Sequence, residues 1–273
     1  MKTPYWRYSA TGNTFLIFDN RTADLHHFSS EIYQQWAEAQ RVDGLLFLEK
    51  PHSLEDEHDF HMRYLNADGG EVEMCGNGAR AMIHFAGQIC QIKPIKELFI
   101  FSTKCGVYSG KASAPEGYPI HMSEVGEFDS MNVEGLYPRA LNSSYLFTGV
   151  PHCCFEVEDL SQDDLMLYGR EIRNNNLFDE GTNVNFYKVT SIKEIEMRTY
   201  ERGVEAETQS CGTGATAVAL CVARRLDWSG SVKVNVPGGE LKVSFDKSFG
   251  NVFLSGGVDF LGEGCFNSVE REA

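Results

Sequence analysis

Short runs in which apolar and polar residues alternate dominate this chain, the spacing of strands with one face buried. In the first half they are Leu45–Lys50, Asp59–Asn66, Glu97–Lys104, Gly106–Ser113 and Tyr118–Val125. In the second half they are Ser144–Gly149, Cys153–Glu158, Val184–Thr190, Glu194–Glu201, Ser231–Val236, Glu240–Phe245 and Asn251–Gly256. Gly69-Gly70, Pro237-Gly238-Gly239 and Gly256-Gly257 punctuate them as turns. Helical spacing is rarer. Ser29–Arg41 opens on cap residues and is amphipathic, and Leu160–Asn174 also reads as a helix. Gly78–Ile89 and Gly214–Leu226 are small and apolar almost all round. A helix of that kind belongs inside a curled sheet, not on a surface. The run Asn174–Asn176 reads as a loop without a site.

The two buried-type helices each follow a copy of one motif. EVEMCGNGARAM surrounds Cys75 and ETQSCGTGATAV surrounds Cys211. Both read Glu-x-x-x-Cys-Gly-x-Gly-Ala, with Glu71 and Glu207 in the same place, about half of the 273 residues apart. A second pair of landmarks keeps almost the same offset: Gly12–Asn20 (GNTFLIFDN) and Gly149–Asp159 (GVPHCCFEVED), each a turn feeding a strand. The pattern therefore predicts an α+β fold of two pseudo-symmetric lobes. Each lobe is a curled, mostly antiparallel sheet or barrel around a central helix. The expected division is 1–117, carrying Cys75, and 118–273, carrying Cys211, with the boundary near Ala114–Gly117 and the last residues packing back on the first lobe.

Composition narrows the partners. A net charge of −15 argues against nucleic acid and anionic membrane surfaces, which call for a basic footprint. It leaves room for an anionic metabolite in a locally positive pocket. No apolar run approaches the roughly 20 residues of a membrane span. The start, MKTPYWRYSATGNTF, lacks the features of a signal peptide, so the cytoplasm is the expected compartment. Eight cysteines without a C-x-x-C pair give little support to a zinc knuckle, and no metal is expected. Cys90, Cys105, Cys153, Cys154, Cys221 and Cys265 read as small buried hydrophobes.

Cys75 and Cys211 read differently, because each stands just before a helix. The unpaired N–H groups and the dipole at a helix N-terminus favour an anion. A thiolate there has a lowered pKa. A substrate carboxylate can also dock on the N–H groups, with glycine allowing close approach. Two such thiols suit inversion at an α-carbon: one, as thiolate, removes the proton, and the other, as thiol, delivers one to the opposite face. No motif for pyridoxal phosphate or for a metal accompanies them, so no cofactor is expected. Read without further context, Cys-Gly-x-Gly is also a tight strand-to-helix turn with a buried cysteine.

At this point the chain resembles the diaminopimelate epimerase family. The stretches Leu65–Arg80 and Tyr200–Ala215 resemble its two signatures, and GNTF, GVPH, NVNF (Asn183–Phe186) and PGGEL (Pro237–Leu241) fall in its order. The resemblance implies pyridoxal-independent interconversion of LL- and meso-diaminopimelate, in lysine and peptidoglycan precursor synthesis, with Cys75 and Cys211 as the bases. It implies that Gly76, Asn77, Gly212 and Thr213 hold the α-carboxylate and that Glu201 holds the α-ammonium. Asn13, Asn66, Asn183 and Arg202 would line the pocket and grip the distal end, and His152 and Glu201 would support the thiols. On the residues alone, the three asparagines are also good turn residues, His152 a core histidine, and Glu201-Arg202 a solvated pair. The expected partner is a small amino acid, with no nucleic acid and no membrane; a homodimer is left open.

Three positions depart from the family pattern. Thr14 stands where an aspartate is usual, Val150 where an asparagine is usual, and Glu201 to Cys211 is one residue longer than in many relatives. Two other functions stay open on sequence: a cofactor-independent racemase of the same fold acting on glutamate, aspartate, histidine or proline, and a non-catalytic thiol/disulfide redox switch.

Overall fold

The structure is a computed structural model, described for residues 2–26, 28–51, 57–72, 74–112, 117–122, 125–162 and 164–267. It opens on a hairpin of β1 (Lys2–Ala10) and β2 (Asn13–Asp19). Thr11 and Gly12 make the turn with φ of 47° and 86°. Two positive φ values are what a two-residue hairpin of this hand requires. Helix α1 (Ser30–Gln40) crosses to β3 (Gly44–Glu49), which lies parallel to β2. Next come β4 (Phe60–Asn66) and the short β5 (Glu71–Val72), each antiparallel to the strand before it. Helix α2 (Gly76–His84) continues into a π-helical turn, Phe85–Ile89, and leads to β6 (Phe99–Thr103), parallel to β4. β7 (Gly106–Gly110) pairs with β6, and β8 (Ile120–His121) meets β7 at Gly110.

The same order then repeats. β9 (Asn142–Phe147) and β10 (Pro151–Glu156) form a hairpin. α3 (Leu165–Arg173) crosses to β11 (Asn183–Ser191), parallel to β10. β12 (Glu194–Glu201) and β13 (Ala206–Thr208) follow antiparallel. α4 (Gly212–Arg225) crosses to β14 (Gly230–Val236), parallel to β12, and β15 (Gly239–Phe245) and β16 (Phe253–Gly256) complete the series. The last strand, β17 (Asp259–Asn267), runs antiparallel to β1. The chain divides into two compact units, Met1–Ile120 with Gly257–Ala273, and His121–Gly256. Among the described pairings neither unit's sheet closes on itself, so each is a curled open sheet and not a barrel.

Burial explains why some strands are apolar without a break. In β2, Phe15 and Ile17 face the cluster around α2, while Leu16 and Phe18 face the cluster around α1 with Tyr33 and Trp36. β3 divides its residues the same way, and all six are buried. A strand covered by helices on both faces reads as a continuous hydrophobic run. In the second unit Cys154 faces the α4 cluster, and Cys153 and Phe155 face the α3 cluster. The two inner helices are enclosed as their composition requires: Asn77–Ile83 in α2 and Gly214–Ala223 in α4 are buried throughout.

Two strands lack a sequence signal, and one expected strand is shorter than its pattern suggests. β1 and β17 carry no strong alternation, because β1 holds Pro4 and β17 is half exposed along its length with two glycines. Their pairing with each other supplies what their patterns lack. The strand expected over Tyr118–Val125 contracts to Ile120–His121; Ser123 and Glu124 lie outside the described residues. Most of the expected boundary, Ala114–Glu116, lies outside them too.

Leu220 is fully buried at the centre of α4. Leu220→Ala should therefore lower stability by about 2–5 kcal/mol, measured by urea unfolding. A loss under about 0.5 kcal/mol would place that face of α4 outside the core.

Candidate active site

Each unit builds the same half-site at the head of its inner helix. Cys75 is the N-cap of α2, with extended backbone (φ −134°, ψ 117°), and its Sγ accepts from the Gly78 N–H at 3.4 Å. Cys211 caps α4 in the same way (φ −116°, ψ 107°), accepting from the Gly214 N–H at 3.4 Å. A sulfur here takes the place of the usual capping oxygen, so N–H groups and dipole both favour its ionised form. In the second copy close contacts favour glycine. A Cβ on Gly212 would stand 2.6 Å from Leu254, and one on Gly214 would collide with Asn185 Oδ1.

Around Cys75, Asn77 is buried and donates Nδ2 to Asn13 Oδ1 at 2.5 Å. The hairpin turn thus delivers Asn13 to the helix head. Asn66 ends β4, opposite Gly44, which in turn lies opposite Phe15 at the start of β2. Its side chain is exposed, and its backbone closes the turn to Gly70. Thr14 donates N–H and Oγ1 to Asp43 Oδ2 at 2.7 and 2.9 Å. The carboxylate at this corner comes from Asp43.

Around Cys211 the constellation is richer. Thr213 Oγ1 lies 3.5 Å from Cys211 Sγ, and the Thr213 carbonyl accepts from Thr148 Oγ1 at 2.9 Å. His152 and Asn183 are register partners on the parallel strands β10 and β11. Asn183 is buried; its Oδ1 accepts from the Arg202 backbone N–H at 2.9 Å, and its Nδ2 donates to the Pro151 carbonyl. Arg202 Nη1 reaches the Glu180 carbonyl at 3.3 Å. Glu201 accepts from Thr208 Oγ1 at 2.8 Å, and burial raises its carboxyl above the ordinary range in spite of that bond.

His152 is completely buried, and burial, followed by the positive charge of Arg202, depresses it to about 3. Asn185 decides its tautomer. Thr199 Oγ1 donates to Asn185 Oδ1 at 3.0 Å, and Asn185 Nδ2 donates to the Cys153 carbonyl at 2.9 Å. The amide orientation is set by those two bonds. Nδ2 then points at His152 Nδ1, 3.2 Å away, so Nδ1 accepts and the proton sits on Nε2. Nε2 is buried and has no partner among the described residues. Asn185 and Thr199 carried no sequence signal beyond being polar in apolar strands, and the structure buries both.

Of the remaining cysteines, Cys153, Cys154 and Cys221 are buried and behave as hydrophobes, while Cys90 is half-buried. Burial pushes the Cys90 and Cys153 thiols up to about 12 and raises Cys154 as well, the last next to Cys221. Cys105 and Cys265 are exposed, contrary to expectation: Cys105 sits at the β6–β7 turn and Cys265 on β17. Among the described residues no group of three or more His, Cys, Asp or Glu side chains is placed to hold a metal ion.

Comparison with known proteins shows the family. The sequence profile of the diaminopimelate epimerase family matches residues 5–93 and 144–261. The chain belongs to the diaminopimelate epimerase family. It is similar to the diaminopimelate epimerase of Flavobacterium psychrophilum, 36% identical over 270 residues covering 94% of this chain and 98% of that protein. It is also similar to that of Aquifex aeolicus, 34% identical over 276 residues covering 95% and 96%. Among solved structures, a phenazine biosynthesis protein of the PhzF family from Bacillus anthracis superposes with a TM-score of 0.70 at 16% identity, covering 98% of this chain and all of that one. A probable proline racemase from Agrobacterium radiobacter gives 0.70 at 14%, covering 99% and 94%. These two show the shared fold. Both Cys-Gly-x-Gly motifs fall within the matched residues, with Cys75 and Cys211 at the N-caps of the inner helices.

The depressed His152 has a signed consequence. Unfolded histidine takes up its proton near 6.5. Between that value and about 3 the unfolded chain holds the extra proton, so stability falls as the pH drops through this window and is fully kept above it. Glu201 acts in the opposite sense, losing stability as the pH rises from the ordinary carboxylate value through its raised one. His152→Gln should flatten the loss between pH 6.5 and 4 in urea titrations; an unchanged slope would mean that His152 titrates normally. The imidazole ¹⁵N shifts should show the proton on Nε2 at neutral pH, and Asn185→Asp should move it to Nδ1.

Proposed function

We propose that this chain is an isomerase that converts LL-diaminopimelate to meso-diaminopimelate without pyridoxal phosphate, using Cys75 and Cys211 as its two proton carriers. What supports the reading above all is the equivalence of the half-sites: the same cysteine N-cap, on the same crossover, built twice. A one-base reaction has no use for the second copy. One cysteine, as thiolate, takes the α-proton and becomes a thiol; the other, as thiol, gives a proton to the opposite face and becomes the thiolate. The net charge of the pair is unchanged, and the reverse reaction exchanges their roles.

The barrier is the carbanion, and N–H donors are the means of lowering it. The backbone N–H groups of Gly76, Asn77, Gly212 and Thr213 would hold the α-carboxylate as enolate-like charge develops on it. A single aimed donor is worth about 3–4 kcal/mol in comparable oxyanion sites. Glu201 would take the α-ammonium, while Asn13, Asn66, Asn183 and Arg202 would engage the distal end. Arg202 suits the distal carboxylate, since a guanidinium fork matches its two oxygens. His152, neutral and a donor at Nε2, would act by hydrogen bonding and not as a base. On this reading the enzyme works in the cytoplasm, and we leave a homodimer as its candidate assembly.

Val150 favours a second, narrower reading, in which distal recognition is looser than usual in the family. It replaces a polar contact worth about 0.5–1.5 kcal/mol. Glutamate or another acidic amino acid would then turn over slowly beside diaminopimelate. Val150→Asn should sharpen the preference for diaminopimelate over glutamate; an unchanged ratio would remove Val150 from the account.

Incubation with reductant in heavy water and a panel of amino acids tests the main reading. Deuterium should enter Cα of diaminopimelate, and Cys75→Ala and Cys211→Ala should each abolish epimerisation. Exchange confined to another amino acid would point to a racemase of different specificity, and no exchange at all to a non-catalytic thiol protein. An unimpaired single cysteine variant would refute the two-thiol scheme.

A further inference from the structure

Arg80 is an unusual residue to find where it is. It lies on the inner helix of the first unit and is completely buried, the largest such side chain among the described residues. Buried guanidinium groups ordinarily face a carboxylate. The hydrogen-bond partners of Arg80 are both neutral: Nη2 donates to Thr11 Oγ1 at 2.7 Å and to Asn77 Oδ1 at 2.8 Å. Its Nε and Nη1 have no partner among the described residues. Burial lowers it to about 10, and a thiolate at Cys75, five residues before it at the head of the same helix, opposes that fall. Among the described residues no carboxylate pairs with it, and a buried cation left unpaired destabilises a fold, so packing does not account for it.

Its bonds converge on one place. Thr11 is a β-branched residue held at φ 47°, a conformation such residues avoid, and Arg80 grips its hydroxyl. The next residues in the chain are Gly12 and Asn13. From the other side Arg80 holds Asn77, which lies two residues after Cys75. A guanidinium only donates, so Asn77 must turn its Oδ1 to Arg80 and its Nδ2 away. Nδ2 donates to Asn13 Oδ1, and Asn13 in turn is left with its own Nδ2 as the outward group. The direction of every bond in this relay follows from the cation at its base. The second unit has no counterpart, since its inner helix carries Thr216 at the equivalent step, bonded to the Gly212 carbonyl at 3.0 Å.

We propose that Arg80 is a positioning residue for the Cys75 half-site: it sets Asn13 to present N–H donors to an anionic group of the substrate, and it supplies the standing positive charge that favours the Cys75 thiolate. The proposal rests on the epimerase reading for its substrate, but its second half concerns the resting protein alone. It also gives the two half-sites different electrostatics on one scaffold, with the fixed cation on the side of Cys75.

Two variants test it, Arg80→Met and Arg80→Lys, read by thermal unfolding, by KM and kcat for diaminopimelate, and by the pH dependence of iodoacetamide alkylation at Cys75, followed by mass spectrometry. Arg80→Met removes a buried charge, so it should fold with its melting temperature kept or raised. It should raise KM roughly tenfold, the loss of one charge-assisted bond, and move the alkylation midpoint of Cys75 up by about one pH unit. Arg80→Lys keeps the charge and loses the fork, so it should raise KM while leaving the alkylation midpoint near that of the unaltered protein. A folded Arg80→Met protein with either readout unchanged overturns the proposal, as does activity lost only in proportion to unfolded protein. If Arg80→Met does not fold, Arg80→Lys decides: a KM equal to that of the unaltered protein refutes the positioning role. Alkylation of Cys75 needs no turnover. A failure of the epimerase reading would show as absent Cα exchange in the unaltered protein, with the alkylation profiles still deciding for or against Arg80.

Discussion

The structure turns on one small contact, made twice: a cysteine sulfur accepting a backbone N–H at the head of a helix that is itself enclosed by a sheet. Enclosure matters as much as the cap. An exposed helix terminus is screened by water, whereas a buried one keeps its N–H groups and its field for whatever faces it. The small, apolar make-up of α2 and α4 lets sheet strands close around them, and the glycines after each cysteine let backbone and neighbours approach. Core packing and the chemistry of the thiol therefore have one cause.

On that repeated frame the two units place different residues at equivalent steps. Phe15, Gly44 and Asn66 stand level across three strands of the first unit, and His152 and Asn183 open the corresponding strands of the second, with Glu201 ending the third. The first half-site is backed by a buried cation, the second by a neutral histidine whose proton position is set through Asn185 and Thr199. Under the proposed function, the repeated cysteine cap supplies two equivalent proton carriers. The unequal linings suit a substrate whose two ends must be told apart.

Much of this was legible in the residues. The duplicated Cys-Gly-x-Gly motif foretold both cysteine-capped helices, and the all-round apolar character of Gly78–Ile89 and Gly214–Leu226 foretold their enclosure. What was hidden has physical reasons. β1 and β17 stabilise each other by pairing, and pairing between chain ends leaves no local pattern. Arg80 read as the tail of a motif, because nothing in a sequence marks a charge as buried. Asn185 sat in the run NVNF beside Asn183, and only the sheet register shows that it points toward α4 while its neighbours Val184 and Phe186 face α3.

The central claim, that two thiols divide the proton transfer between them, is tested most directly by the isotope content of both stereoisomers at early times in heavy water. Starting from LL-diaminopimelate, the meso product should carry deuterium at the inverted carbon from the first turnover, while the remaining LL substrate stays protiated. Retention of the original proton in the product would mean that a single base removes and returns it, and would contradict the account.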